Sequence, residues 1–420
     1  MKGIKEISTG FFARKGAYVF TATFLARILS FTASWIALQL LSEQKLGLVI
    51  FSFNFIIFLI PIAGFGLEQS YIRYAALVKN RVDKQDLFIF TFKKGLVISI
   101  FLSISVALIG WYFVKIIPIA AKLFFIIVSF SLVSHFILSM LKNYYRIQHK
   151  NKIYAFLEIT FNLILVLSVS VLSYFFKEVG YSLALVIAPL LASLFFIPKL
   201  LFKKQEVKKP NSINLSFWQY GFSASLSNVA TQLLFALDLI LIGTLITDSQ
   251  AITHYKYISL IPFSLLFIPQ VLLTTDFVNL TEQVHKKDVI YKYIKNYWSL
   301  MAIISTIILI VSFIFSNEIL SLFKREYITY SSSFKILIIG VLGVLLLRGL
   351  FGNLLSAIGK AHSNFWIAII SLLLNLVSNF YFIPKYGIKG AAITSAFVMW
   401  FSGIISFFVF VFYYKNKENF

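Results

Sequence analysis

Three ionisable residues stand well inside apolar stretches of this 420-residue chain, Arg27, Asp238 and Arg348, and a fourth, Lys256, stands at the start of one. A charge at the middle of a membrane helix costs roughly 2.5–3.5 kcal/mol on insertion scales, so each needs a structural or functional reason. Arg27 is the deepest, about ten residues or roughly 15 Å into its apolar run. Thr23, Arg27, Ser30 and Ser34 follow the 4-3-4 spacing of one polar stripe, which faces protein or water rather than lipid. A guanidinium there can grip a phosphate or carboxylate with its planar fork, or close an ion pair within its own bundle. Arg348 shares a face with Gly352, Ser356 and Gly359, small residues that admit a neighbouring helix or widen a cavity. Asp238 lies near one face with Asn228 and Thr231, where it can serve as a proton or cation site or as the partner of an arginine. Lys256 opens its apolar run and either extends a basic lining or anchors the helix at the interface. Glu68, Glu158, Asp276 and His135 fall nearer the ends of their runs, where solvated or snorkelling positions are expected.

Pro61 interrupts the apolar run that ends near Glu68, and Pro262 and Pro269 the one that Lys256 opens. Proline removes a backbone donor and kinks a helix, so bending at these points is a candidate gate, with static shape as the alternative. Enzymatic signatures are missing: there is no P-loop, zinc-binding His pair, GxSxG or glycine-rich phosphate cradle, and the five histidines are scattered. Without cysteine there is no disulfide, zinc-thiolate site or thiol catalysis, and no cofactor is called for.

The elements that position these residues follow from composition. The chain is 59% hydrophobic and 13% charged, with 47 Phe and 21 Tyr. Soluble domains carry about 25% charged residues, so a water-soluble fold is excluded. Apolar runs near 20 residues recur from end to end, each long enough for a roughly 30 Å hydrocarbon core. Breaks between them predict twelve spans, near 17–41, 46–68, 95–114, 119–141, 154–176, 180–202, 219–246, 256–276, 296–316, 334–358, 362–384 and 388–414. The apolar run after the N-terminus is too long for a signal peptide and reads as a retained first helix.

The net charge of +22 is spread through short loops, which is the pattern of membrane topology rather than of a nucleic-acid partner. Segments on one side hold 26 basic residues and those on the other 10, so the positive-inside rule puts both termini in the cytoplasm and requires an even span count.

The second half repeats the first at an offset of 205 to 210 residues: Leu40–Glu43 matches Leu245–Asp248, Pro61 falls opposite Pro269, Asn143, Lys150 and Phe156 opposite Asn353, Lys360 and Trp366, and Gly180 opposite Gly390. With six spans in each half, the copies run in the same direction, a parallel repeat about an axis along the membrane normal. The expected architecture is all-α: an N-terminal six-helix bundle at 1–202, a cytoplasmic linker at 203–216 and a C-terminal six-helix bundle at 217–420, around a central cavity.

Several segments resemble a known group. Ser42-Glu43-Gln44-Lys45-Leu46-Gly47, Gly64-Phe65-Gly66-Leu67-Glu68-Gln69-Ser70-Tyr71-Ile72-Arg73-Tyr74, Ala236-Leu237-Asp238-Leu239-Ile240-Leu241-Ile242-Gly243 and Ala357-Ile358-Gly359-Lys360 are similar to segments of Wzx-type polysaccharide flippases. That group lies in the superfamily that also holds MATE drug exporters and the lipid II flippase, and the resemblance spans essentially the whole chain. It implies movement of an undecaprenyl-diphosphate-linked oligosaccharide, such as an O-antigen or capsule repeat unit, from the cytoplasmic to the periplasmic leaflet of a bacterial inner membrane. Membrane lipids are implied partners, and the polymerase of the same glycan pathway is a further candidate. The residues point the same way, because a diphosphate crossing hydrocarbon needs fixed cations and the deepest charge is an arginine.

Asp238 alone would serve the alternative, a MATE-like cation-coupled antiporter. A major-facilitator transporter shares the span count, but Asn80-Arg81-Val82-Asp83-Lys84 departs from its Gly-Asp-Arg-Gly loop. A membrane-embedded polymerase is disfavoured by short outer loops, the longest being about 317–333.

Overall fold

The computed structural model describes residues 16–78, 80–112, 119–198, 201, 213–246, 248–283 and 285–415, and every regular element among them is helical. Ten helical segments, from Thr21–Leu40 to Ile388–Lys415, are long and apolar enough to cross a membrane. Both chain ends and most of the expected linker Lys203–Ser216 lie outside the described residues; of the linker, Leu215 opens the Leu215–Leu245 helix.

The described chain forms two compact units, one within Ala22–Ala236 with Asp248–Thr253, the other within Leu237–Thr247 and His254–Phe420 together with residues 16–21. In the first, rings pack at tilted angles in the interior, with Phe88 lying 5.6 Å from Tyr71 and 4.4 Å from Tyr144 between ring centroids. Lipid tails are as apolar as these side chains, so close van der Waals packing, rather than escape from water, holds the helices together. In the second unit, a Cβ at Gly343 would strike Trp400 and one at Gly403 would strike Leu347, so glycine lets the Ser331–Gly343 and Ile388–Lys415 helices meet closely.

The helix breaks expected at the prolines are present. The Glu43–Ile57 helix gives way to a 3-10 turn at Ile60–Ile62 that contains Pro61, then to Phe65 and Gly66 with φ of 52° and 81°, before Leu67–Leu77 begins. The Gln250–Ser264 helix contains Pro262 and stops two residues later, and Pro269 occupies the first turn of Phe267–Glu282, where a missing N–H leaves no helical bond unmade.

Backbone features recur at an offset of 210 residues. His149 (φ 57°) and Gly359 (φ 76°) each end a helix in the left-handed region. The following amides close the same bond, Lys150 N to Tyr145 O at 3.0 Å and Lys360 N to Leu355 O at 2.8 Å. Both are helix stops of the left-handed kind that glycine favours. Further on, Lys177 (φ 49°, ψ −130°) kinks the Asn151–Leu194 segment, and Gly387 (φ 55°, ψ −135°) separates Ala361–Tyr386 from Ile388–Lys415. Three residues after each kink, Gly180 and Gly390 pack against the carbonyls of Leu172 and Phe382, where a Cβ has no room.

Candidate functional site

Asp238 lies in the Leu215–Leu245 helix with 1% of its surface exposed, inside the second unit. Three other helices supply its partners. The Tyr255 hydroxyl, from Gln250–Ser264, donates to Oδ2 at 2.6 Å. Asn379 and Asn375, one turn apart on Ala361–Tyr386, donate through Nδ2 to Oδ1 at 2.8 and 3.2 Å. The Ser395 hydroxyl, from Ile388–Lys415, donates to Oδ2. No lysine or arginine pairs with this carboxylate among the described residues, so its charge is met by dipoles alone.

Such a cage has two chemical uses. The carboxylate can take a proton and keep most of its hydrogen bonds, or its oxygens can join neighbouring oxygens around a monovalent cation. Asn379 Oδ1 is a buried acceptor with no hydrogen-bond partner, which adds an open oxygen to the set. A divalent transition metal is a poor match, since no group of three His, Cys, Asp or Glu is assembled among the described residues.

Arg348 ends the π-helical turn Val344–Arg348, which interrupts the helical run between Ser331–Gly343 and Gly349–Ala357. Such bulges often occur at functional positions because they re-aim a side chain. Nη1 donates to Asn364 Oδ1 at 3.0 Å and to Ser406 Oγ at 2.6 Å. Asn364 in turn donates to Gly352 O at 2.6 Å and Ser356 Oγ at 2.9 Å, so the small-residue face read from the sequence is a hydrogen-bonded network. All these partners are neutral. A guanidinium has five N–H donors, and those on Nε and Nη2 meet no protein acceptor among the described residues.

Arg27 is exposed on its helix, with no ion pair or hydrogen bond from its side chain among the described residues, while Thr23, Ser30 and Ser34 on the same stripe are half-buried. Lys256, next to Tyr255, is half-buried and also forms no ion pair among the described residues. Asp238, Lys256 and Arg348 therefore belong to one unit and Arg27 to the other. Pro61 likewise lies in the first unit, and Pro262 and Pro269 in the second.

Two expectations change. Glu68 and Asp276, read as solvated, are 7% and 2% exposed, and Tyr293 donates to Asp276 Oδ2 at 3.0 Å. The helix face shared with Asn228 does not define the surroundings of Asp238, and the Thr231 side chain lies outside the described residues. Tyr255, Asn375, Asn379 and Ser395 were missed by sequence reasoning. A signal was present in Ser371, Asn375 and Asn379, a polar stripe at four-residue spacing in an apolar run.

No family model matches the chain. An uncharacterized membrane protein of Methanocaldococcus jannaschii is 25% identical over 249 residues, covering 57% of this chain and 49% of that protein, so the match spans about half the relative's length. Solved structures are similar over far more. An inward-facing multidrug resistance MATE family transporter of the MOP superfamily has a TM-score of 0.78, covering 93% of this chain and 94% of its own at 13% identity. The lipid II flippase MurJ in an inward closed conformation has a TM-score of 0.74, covering 94% of this chain and 87% of its own at 18% identity. A MOP superfamily transporter from Pyrococcus furiosus, for which a reversed polarity of the binding pocket suggests a different function, has a TM-score of 0.66, covering 99% and 96% at 14% identity. At these identities the likeness is one of fold. With ten apolar helices of spanning length, no strand among the described residues and this shared architecture, the chain is a multi-pass membrane protein with the fold of the MATE and MurJ transporters of the MOP superfamily.

Proposed function

We propose that this protein is a flippase that carries a polyprenyl-diphosphate-linked oligosaccharide across the cytoplasmic membrane by alternating access. The observation that carries the reading is the state of the intramembrane cations. Arg27, Lys256 and Arg348 lie within apolar spans and none forms an ion pair with a carboxylate among the described residues. Unneutralised cations in hydrocarbon are costly, and an anionic headgroup that displaces its own hydration is a partner that offsets the cost. In this reading Arg27, Lys256 and Arg348 bind the diphosphate, and Pro61, Pro262 and Pro269 allow the bending that opens each side. The membrane is a bacterial inner membrane, both termini are cytoplasmic, and the polymerase of the same glycan pathway receives the product.

Twelve crossings follow if the Asn151–Leu194 segment turns back at Lys177 and the Leu215–Leu245 helix crosses once. The recurring turns at an offset of 210 residues support a parallel duplication of six-span halves, 1–202 and 217–420, joined by the linker 203–216.

The Asp238 cage favours a second reading, a cation-coupled antiporter, because it holds a carboxylate ready for a proton or monovalent cation and leaves it without a cationic partner. The two readings are compatible if Asp238 supplies the coupling and the arginines hold the substrate. They separate in proteoliposomes loaded on one leaflet with a polyprenyl-diphosphate oligosaccharide. Lectin access to the opposite leaflet that requires the protein and is lost in Arg27→Ala supports the flippase. Efflux of cationic dyes with no lipid transfer would replace it by the antiporter.

A further inference from the structure

The widened turn that carries Arg348 is held from outside its own helix. In an α-helical run the Gly349 amide bonds to the carbonyl four residues back, Leu345 O. Here it bonds to Val344 O, five residues back, which makes the turn Val344–Arg348 π-helical. The next two carbonyls along the turn are met by two consecutive residues of the Lys287–Ile314 helix. The Tyr297 hydroxyl donates to Leu345 O at 2.9 Å, and Trp298 Nε1 donates to Leu346 O at 2.8 Å. Both donors are themselves held in place: Tyr297 is buried, and the Trp298 ring packs edge-on against Phe351 with centroids 5.8 Å apart.

Register decides where Arg348 points. Each α-helical residue advances about 100° around the axis, and a π turn inserts one extra residue. If the run closed into a continuous α-helix, Arg348 would turn by about 100° relative to the Ser331–Gly343 helix. That would carry it away from Asn364 Oδ1 and Ser406 Oγ, which Nη1 now reaches at 3.0 and 2.6 Å. Leu345 O is the carbonyl that such closure would return to the Gly349 amide, and the Tyr297 hydroxyl holds it where the π register leaves it.

The first unit lacks the whole arrangement. Counting back by the 210 residues that separate the recurring turns, Arg348 falls on Leu138 and Tyr297 and Trp298 on Leu87 and Phe88. Over the matching stretch Ser131–Ile147 is an unbroken α-helix. Widened turn, side-chain donors and arginine are thus present together in one half and absent together from the other.

We propose that Tyr297 and Trp298 are positioning residues for Arg348. Their hydrogen bonds hold the π-helical register, which aims the guanidinium at Asn364 and Ser406 and leaves its Nε and Nη2 donors for an anionic ligand. The anionic ligand rests on the flippase reading above, whereas the aim of the side chain does not depend on it.

NMR of the full-length protein carrying isotope-labelled arginine reads that side chain directly, with the Arg348 Nε–H signal identified by its loss in Arg348→Lys. Tyr297→Phe and Trp298→Phe remove the donors and keep a ring. Each is expected to shift the signal, and the double variant most; if the double variant does not fold, the single variants carry the test. Tyr293→Phe, which removes a hydrogen bond to Asp276 from the same helix, should leave the signal in place. The second readout is binding of farnesyl diphosphate, for which each single variant should raise Kd about fivefold, the weight of one hydrogen bond. In an Arg348→Ala background the same substitutions should change Kd by less than about twofold, because residues that act through Arg348 then have nothing to act on. Equal effects with and without Arg348 would mean a general packing role and overturn the proposal, as would an Arg348 signal that neither variant moves. If the parent binds no farnesyl diphosphate, Arg348 loses its reading as an anion site, and the NMR signal alone decides whether Tyr297 and Trp298 position it.

Discussion

The Tyr255 hydroxyl lies 2.6 Å from Oδ2 of Asp238, and both residues are 1% exposed. The pair joins two helices through a charged acceptor, a class of hydrogen bond worth about 1.5–3 kcal/mol. Tyr255→Phe should therefore lower the midpoint of thermal unfolding and weaken any cation or proton dependence of transport about tenfold, with expression unchanged. Transport that keeps its full ion dependence in Tyr255→Phe would show that the hydroxyl is packing only.

Arg27 and Asp238 are expected to differ in kind. Arg27 is exposed and its side chain makes no hydrogen bond or ion pair among the described residues, so Arg27→Ala should leave stability within about 0.5 kcal/mol. It should nonetheless abolish transfer of the lipid-linked oligosaccharide. Arg27→Lys should restore only part, since lysine keeps the charge and loses the bidentate fork. Asp238→Asn should slow transfer less than Arg27→Ala at equal expression. The reverse order, accompanied by dye efflux, would favour the antiporter.

Arg348→Ala is predicted to combine two losses. Its removal leaves Asn364 Oδ1 and Ser406 Oγ without their donor, a cost of about 1–3 kcal/mol where the groups are buried. Lysine at this position can reach one acceptor but not the same fork, so Arg348→Lys should recover stability more than transfer. Thermal melts in detergent and the leaflet-transfer assay, measured on the same preparations, separate the two effects.

Lys177 holds a left-handed conformation that its counterpart, Gly387, adopts without a Cβ. Backbone held in such a sparsely populated positive-φ region costs a non-glycine residue about 1–3 kcal/mol. Lys177→Gly should thus raise thermal stability, and Gly387→Ala should lower it by a similar amount. Equal melting of both variants and the parent would mean that the kinks are not strained.

The cysteine-free sequence permits single-cysteine labelling without background. Cysteines placed at either terminus or in the 203–216 linker should react with membrane-impermeant maleimide only after the cells are opened, as the 26 to 10 basic bias requires. Labelling of intact cells at any of the three would invert or break the topology.

Apolar runs are the part of this fold most readable in sequence, because a span must satisfy its backbone internally and cover hydrocarbon with side chains. The prolines marked the helix breaks for the same local reason. Partners were less legible. Asp238 stood out as a charge in an apolar run, but Tyr255, Asn375 and Ser395 reach it from three other helices, across separations that no spacing within one helix encodes. Glu68 illustrates the opposite error. Its place near the end of a span suggested water, yet the helix that starts at Leu67 packs against the Arg81–Tyr112 and Ser131–Ile147 helices and buries it.

The paired turns at His149 and Gly359, and the paired kinks at Lys177 and Gly387, give the chain its own internal reference standard. In each pair one copy keeps the residue the backbone prefers and the other tolerates a strained substitute. If the halves are copies, as proposed, the drift between them is recorded as a difference in strain at matched torsions. On that proposal, His149 and Lys177 are the places where the first half departs from the residue its backbone favours.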